Sequence, residues 1–405
     1  MRRILFAWEM GHNFGHAAKI APIARRLSPD MDVWVAARDM TAFRQIAPDL
    51  KCRLIPAPYA PTETTPRATY GYPGAIQSEG WGTQSQLNMQ VQAWDAMFDA
   101  IQPDILVAQA APTALLASRA QSIKRPSLKR VVLGSGYDTP ILSDPMPSFD
   151  VKTQSDPETL RKAAAQERDT LHTANVALET IGAAKAPRLC DVLAPDLSLL
   201  VAWPETDHFA AQRKTSNAVY LGQMPGPNIG KHMNWAGRDR PKILAYLRPG
   251  SNIAQIGYDA LSLLAAQHDI ICAAPGLPAQ NVKTLQQAGL QIHNGPVCLP
   301  PLLDGTDLIL SLGGSGLVAD GLRHGIRQVL LPTTREQMLV ATQMARQGLA
   351  VGLAGTYTAQ KVAEVTQALL QDKDELARVS ACAKSLAIRF AESPDLTAVR
   401  CLRHL

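Results

Sequence analysis

No two of the six cysteines stand in a Cys-x-x-Cys pair, and none joins a histidine at zinc-ligand spacing; Cys52, Cys190, Cys272, Cys298, Cys382 and Cys401 are scattered along the 405 residues. That scatter argues against a zinc site and a redox motif, and it suits buried thiols in a reducing compartment. Long apolar runs are also missing. None approaches the ~20 residues that a membrane helix needs. The run Ile4 to Trp8 is broken by Glu9 and His12, too soon for the core of a signal peptide. A cytoplasmic protein without a transmembrane segment is therefore expected. Charge of one sign is scarce as well. With 40 basic against 35 acidic residues the net charge is +5, and no dense Lys/Arg run interleaves with aromatics to follow a nucleic-acid backbone. Nucleic acid is not expected as a partner. The mild excess suits an anionic small ligand, although many proteins share it.

What is present is ordinary globular material, 46% hydrophobic and 19% charged. A single core stops growing beyond roughly 250 to 300 residues, so a chain of this length is expected to form two domains.

The first half alternates strand-like and helix-like runs. Ile4-Leu5-Phe6-Ala7-Trp8 leads into the loop Glu9 to His16. Ile20, Ile23, Ala24 and Leu27 then mark one face of a helix, and Asp32 to Ala36 reads as the next strand. Further strands are predicted at Asp104 to Ala108, Arg130 to Gly134 and, as the last of this half, Leu197 to Trp203. Helices fall near Leu87 to Ile101, from Thr113, and from Pro157 to Ala184. Parallel strands need crossover helices, so this order predicts a doubly wound α/β sheet. Between Leu54 and Glu79, Pro, Thr and Gly predict a long irregular loop suited to recognising a substrate.

Pro204 to Arg240, with Pro204, Pro225 and Pro227, has the composition of a connection, and the boundary is placed near Pro225. The same alternation then restarts. Strands are predicted at Lys242 to Leu247, Asp269 to Ala273, Gln291 to His293, Leu308 to Ser311 and Gln328 to Leu331, with a helical tail from Thr358 to Phe390.

One stretch of the second half carries chemistry. A strand ending at Ser311 runs through Leu312 into Gly313-Gly314-Ser315-Gly316 and then a helix. Bare backbone amides at a helix N-terminus can face an anion, and glycines permit both positive φ and close approach of a phosphate. Asp320, a turn later, can accept hydrogen bonds from ribose hydroxyls. Glu336 and Gln337 follow after Pro332.

The segment from Asp307 to Gly348 resembles the donor signature of family-1 nucleotide-sugar glycosyltransferases, the UDP-glycosyltransferase and macrolide-glycosyltransferase group. Gly15-His16 resembles the Gly-His pair of the same family. The resemblance implies a GT-B fold, in which two Rossmann-like doubly wound parallel-sheet domains face a central cleft. It divides the chain into an acceptor-binding domain 1–224, with a linker at about 204–240, and a nucleotide-sugar-binding domain 225–385. The final helix 386–405 is expected to pack back on the first domain.

The activity implied is inverting, metal-independent transfer of a hexose from a UDP- or dTDP-sugar to an acceptor hydroxyl. The nucleotide sugar is a co-substrate, with no other cofactor and no metal site. By resemblance Gly313, Gly314, Ser315 and Gly316 hold the diphosphate, Asp320 the ribose, and Glu336 and Gln337 the sugar hydroxyls, while His16 is the general base. Imidazole titrates near neutrality, which suits that role.

Three positions depart from the family pattern. Leu312 stands where a histidine usually contacts phosphate, and Leu317 replaces the usual threonine. Gln109 follows the strand where many relatives carry an aspartate for the catalytic histidine. Ser251, Asn252 or Arg248 are candidates to supplement the backbone amides, and Glu9 is the candidate substitute for the missing carboxylate.

Plainer readings stand beside these. Gly-Gly-Ser-Gly is a common turn, His16 can be a structural cap with His12 the nearest competitor for its role, Glu9 a solvated loop acid, and Glu336-Gln337 a helix-start pair. Leu312 and Gln109 also motivate a degenerate nucleotide- or glycan-binding module. A UDP-sugar epimerase on the same fold is a third possibility.

Overall fold

The structure, a computed structural model, describes residues 1–11, 14–61, 68–149, 156–213, 217–224, 230–237 and 239–405. His12, Pro225 and Pro227 lie outside the described residues. The chain divides into two compact units. The first comprises Met1–Pro204, Phe209–Met224 and Glu392–Leu405, the second Glu205–His208 and Pro225–Ala391.

The first unit holds seven strands: β1 (Arg3–Trp8), β2 (Asp32–Ala37), β3 (Arg53–Pro56), β4 (Ile105–Ala108), β5 (Lys129–Gly134), β6 (Leu197–Leu200) and β7 (Ala218–Tyr220). They lie in the order β3-β2-β1-β4-β5-β6-β7, and every pairing is parallel. A strand inside such a sheet is covered on both faces, so it reads as a continuous apolar run rather than an alternating one. In β1, Ile4 to Trp8 are all fully buried. Ile4 sits in register with Val33 on one side and Ile105 on the other. The helix Phe14–Leu27 lays Ala17, Ile20, Ala21, Ala24 and Leu27 on the sheet, the i, i+3, i+4, i+7 spacing of one helical face.

The second unit repeats the scheme with six strands: β8 (Lys242–Tyr246), β9 (Asp269–Ala273), β10 (Gln291–His293), β11 (Leu308–Ser311), β12 (Arg327–Leu330) and β13 (Val351–Gly352). Their order is β10-β9-β8-β11-β12-β13, again parallel throughout. The expected pair of doubly wound parallel sheets is what the chain forms. In each sheet the connections run outward from a central pair in opposite directions. The point of divergence lies between β1 and β4 in the first sheet and between β8 and β11 in the second.

Several sequence expectations need correction. The stretch from Leu54 to Glu79 is not one irregular loop. It begins inside β3 and includes the helix Tyr72–Ile76 and a single π-helical turn, Gln77–Trp81, while 62–67 lie outside the described residues. Leu197 to Trp203 is not the last strand of its half, because β7 follows within the segment read as a connection. The two strands missed in this unit are edge strands of three or four residues with no fully buried member. Too short to show a pattern, they take their conformation from pairing with β2 and β6. The two-residue β13, missed in the other unit, is likewise an edge strand with no fully buried member.

The helical tail is two helices, Ala359–Gln371 and Lys373–Arg389, parted at Asp372, whose carboxylate caps the second by accepting from Glu375 N at 2.8 Å. The return to the first unit begins at Glu392 rather than at 386. There the helix Pro394–His404 places Ala398, Val399 and Leu402 in the first core, and Asp395 pairs with Arg26. No helix among the described residues is long and apolar enough to cross a membrane.

Phe6 is fully enclosed in the first core. Phe6→Ala is expected to lower the stability of this unit by about 3–5 kcal/mol, the cost of lost transfer energy plus a cavity. The check is the shift of the urea midpoint; a loss below about 1 kcal/mol would mean that the core closes over the gap.

Candidate active site

The candidate residues lie in the loops at the carboxyl ends of the strands or in the helices that follow. Most stand beside the two points of divergence, where open parallel sheets leave a crevice for ligands, and Glu336 and Gln337 follow β12. In the first sheet the loop after β1 carries Glu9 and Gly11 and runs into the helix that bears His16. The loop after β4 carries Gln109 and Ala110.

The two loops are tied together. Glu9 N and Met10 N both donate to Ala110 O, at 3.4 and 3.0 Å, and Ala110 takes the left-handed conformation at φ 47°. A non-glycine residue seldom sits there, which marks the turn as one imposed by its surroundings.

His16 is half-buried and held from several sides. Its Nδ1 lies 2.8 Å from the amide oxygen of Gln109, and its ring stacks on Trp8 with centroids 5.3 Å apart. A β-carbon built on Gly11 would come 2.3 Å from His16 Nε2, so the close approach of the ring depends on a glycine there, at φ +77°. A hydrogen bond to that amide oxygen requires the hydrogen on Nδ1, and in the neutral ring this leaves the lone pair on Nε2. Gln109 itself is fully buried, and its Nε2 finds no partner among the described residues.

Glu9 does not take the place expected of it beside His16. Its side chain is 3% exposed and turns toward the helix Pro112–Lys124. One carboxylate oxygen accepts from Thr113 N at 2.5 Å and the other from Trp94 Nε1 at 2.8 Å. The first amides of a helix lack partners of their own and carry the positive end of its dipole, so a carboxylate is favoured there. The partner of His16 is Gln109, the residue the family pattern marks as a departure.

Burial pushes the Glu9 carboxyl up to about 8, against the pull of these hydrogen bonds. Sequence reasoning missed Asp138, in the turn after β5. The signal was faint, a lone acid four residues beyond a predicted strand end. Its Oδ2 accepts from Ser135 Oγ at 3.0 Å and pairs with Lys19 Nζ at 2.6 Å.

In the second sheet, β11 passes through Leu312 and Gly313 into the helix Ser315–Arg323, with Gly314 as its N-cap. Gly313 has φ +84°, a conformation glycine adopts without strain, and its N–H donates inward to Ser311 Oγ at 3.2 Å. Its amide is thus spent on the turn, which corrects its expected place among the phosphate-facing donors. Gly314 and Gly316 are exposed, and an added β-carbon at either would meet nothing within 4 Å. The N–H groups of the first helical turn have no intrahelical acceptor and stand at this uncovered end. The neighbouring leucines do not plug it: Leu312 packs against one core of the unit and Leu317 against the other.

Ser315 Oγ donates to Glu336 Oε1 at 2.7 Å, linking the glycine turn to the loop after β12. Gln337 has a structural duty: its Oε1 accepts from Thr333 N, Thr333 Oγ1 and Thr334 N, completing a capping box with Thr334. Its amide N–H groups remain for a ligand. Burial raises the Asp320 carboxyl to about 6, with Arg323 and His324 pulling the other way. Ser251 caps the helix Asn252–Leu264 by accepting from Ala254 N at 3.1 Å, while Asn252 and Arg248 are exposed beside it. Because β8 and β11 are neighbours, two helix N-termini open at one point of divergence.

No family model and no curated protein matches the chain. Solved structures do. The glycosyltransferase of kitacinnamycin superposes with a TM-score of 0.71 at 16% identity, over 100% of this chain and 99% of that one. The calicheamicin glycosyltransferase superposes with a TM-score of 0.73 at 15% identity, over 100% and 98%. A glycosyltransferase of Streptomyces sp. SF2575, complexed with thymidine diphosphate, gives 0.62 at 16% over 100% of both chains. At such identities the likeness is one of fold, and the fold is that of GT-B glycosyltransferases.

The buried Glu9 has a consequence for stability. The folded chain keeps its proton up to about pH 8, whereas the unfolded chain releases it near the ordinary value of 4.5. More protons on the folded side mean that stability falls as pH rises through that window. Asp320 adds a slope of the same sign between 3.8 and about 6. Chemical denaturation from pH 5 to 8 is expected to show the decline, and Glu9→Gln to flatten the part above pH 6; an unchanged slope in the variant would contradict it.

Proposed function

We propose that the chain is a cytoplasmic glycosyltransferase that moves a hexose from a nucleoside-diphosphate sugar to an acceptor hydroxyl, with inversion and without a metal. One observation carries the proposal. An imidazole with Nδ1 anchored stands at the point of divergence of one sheet, and an uncovered helix N-terminus stands at the same topological position in the other. One offers a base and the other a seat for a diphosphate. The fold shared with glycosyltransferases supports the same assignment, and the thymidine diphosphate of one such structure makes dTDP the first nucleotide to test.

In this mechanism Nε2 of His16 takes the proton of the acceptor hydroxyl as its oxygen attacks the anomeric carbon. The new C–O bond forms on the face opposite the leaving group. The bond to the diphosphate breaks, and its electron pair leaves with the phosphate oxygen. The amides following Gly314 meet the charge that develops there, and fixed dipoles aimed at a developing charge stabilise the transition state more than the ground state. Asp320 is placed to take ribose hydroxyls. Glu336, braced by Ser315, and the amide of Gln337 are placed for the hydroxyls of the sugar.

His16→Ala is expected to lower kcat by about 10²- to 10⁴-fold, the usual worth of a positioned base, while binding of UDP or dTDP measured by calorimetry survives. Turnover near that of the wild type would remove His16 from the mechanism. Transfer is also expected to persist in EDTA. Nucleotide binding without turnover across a broad acceptor panel would favour a binding module over an enzyme.

A further inference from the structure

His16 acts as a base without the carboxylate usually placed after the fourth strand, since Gln109 is neutral. A neutral amide can hold Nδ1 but cannot offset the charge of the imidazolium that forms when Nε2 takes a proton. That charge needs an anion close by, in a site with little water.

The strand order shows where such an anion can come from. β1, β4 and β5 are adjacent and parallel, so the loops at their carboxyl ends lie side by side. The first leads into the helix that bears His16, and the other two carry Gln109 and Asp138. Lys19 stands one helical turn beyond His16, on the same side of the helix Phe14–Leu27. The Lys19–Asp138 pair is 18% and 17% exposed, and Ser135 N and Oγ hold the same carboxylate oxygen at 3.3 and 3.0 Å. The acid is therefore fixed in place rather than swinging in solvent.

We propose that Asp138, clamped by Lys19 and Ser135, is the anion that stabilises protonated His16 during transfer, a positioning residue that replaces the missing acid after β4. The inference rests on the assignment of His16 as the base. Burial by itself would raise the Asp138 carboxyl, but the charges of Lys19 and His16, with hydrogen bonds from Lys19 and Ser135, hold it well below the ordinary carboxylate range. It stays ionised wherever the enzyme works.

Among the described residues around this site, Trp8, Gly11, Glu9 and Tyr72 do not supply this charge. Trp8 and Gly11 are neutral, and the oxygens of Glu9 are taken by Thr113 and Trp94. Tyr72, which feels both Glu9 and Asp138, keeps its proton because burial and these two acids, with Tyr137, all disfavour a phenolate. Lys19 opposes the imidazolium, so Asp138 serves both cations, and the two substitutions should act with opposite sign.

The test is the titration midpoint of the His16 ring, followed by long-range ¹H–¹⁵N correlation in the full chain. Asp138→Asn is expected to lower the midpoint by about one pH unit and Lys19→Met to raise it. In kcat against pH, the acidic limb of Asp138→Asn is expected to move down by the same amount, with a plateau about three- to tenfold lower. A midpoint unmoved in Asp138→Asn, while His16→Ala still abolishes transfer, overturns the inference and leaves the base standing. Midpoints that move as expected in a chain whose His16→Ala variant transfers normally would instead overturn the base. Should Asp138→Asn not fold, the same midpoint in Asp138→Ser decides, and its failure to fall overturns the inference.

Discussion

A parallel sheet that grows outward in both directions from a central pair of strands cannot close over the seam between them. The connections leaving the two strands depart to opposite sides, and the carboxyl end of the seam stays open. His16, Gln109 and the glycine turn, the candidate groups among the described residues, stand at two such seams, β1 beside β4 and β8 beside β11, with Asp138 and Glu336 one strand further out. The strands are buried on both faces and leave little freedom. The loops at their ends inherit a fixed separation, and the side chains on them are held to the tolerance of the sheet rather than of a surface loop.

The two seams solve opposite electrostatic problems. At the second, partial positive charge is supplied by main chain: two helices begin there, and the glycines after β11 keep one of those beginnings bare. No side chain contributes to this, and Leu312, ahead of the glycines, is partly buried against the core of the unit. At the first, polar side chains are set close together in a largely dry place. Glu9 closes the start of a helix, Gln109 orients a ring, and Asp138 neutralises an ammonium. Buried polar groups are tolerable only when paired, and nearly every one here is. The amide nitrogen of Gln109 and the hydroxyl of Thr139, in the turn after β5, find no partner among the described residues.

Much of the fold was legible in the residues themselves. Continuous apolar strands and amphipathic helices repeat in order, and the long elements fall close to their expected places. The edge strands β3 and β7 were not, because a three- or four-residue strand with half-exposed side chains has no period to detect. The site divided in the same way. Gly314, Gly316 and His16 sit at local motifs, so neighbours in sequence single them out as candidates. Gln337 showed two faces in the sequence, and its oxygen serves the helix start. The surroundings of Glu9 and Asp138 were not legible, because each is held by a partner far along the chain: Thr113 lies 104 residues from Glu9, and Lys19 lies 119 from Asp138. Nothing near either acid in the sequence encodes that distance.

The bond between His16 and Gln109 spans 93 residues, and this bears on how the site comes into being during synthesis. A nascent chain that has just left the ribosome with its first helix complete possesses the imidazole but not the amide oxygen that faces its Nδ1. That pairing arises only after β4 has been made and has docked against β1. A partly translated chain therefore holds this ring without the contact that orients it in the finished fold.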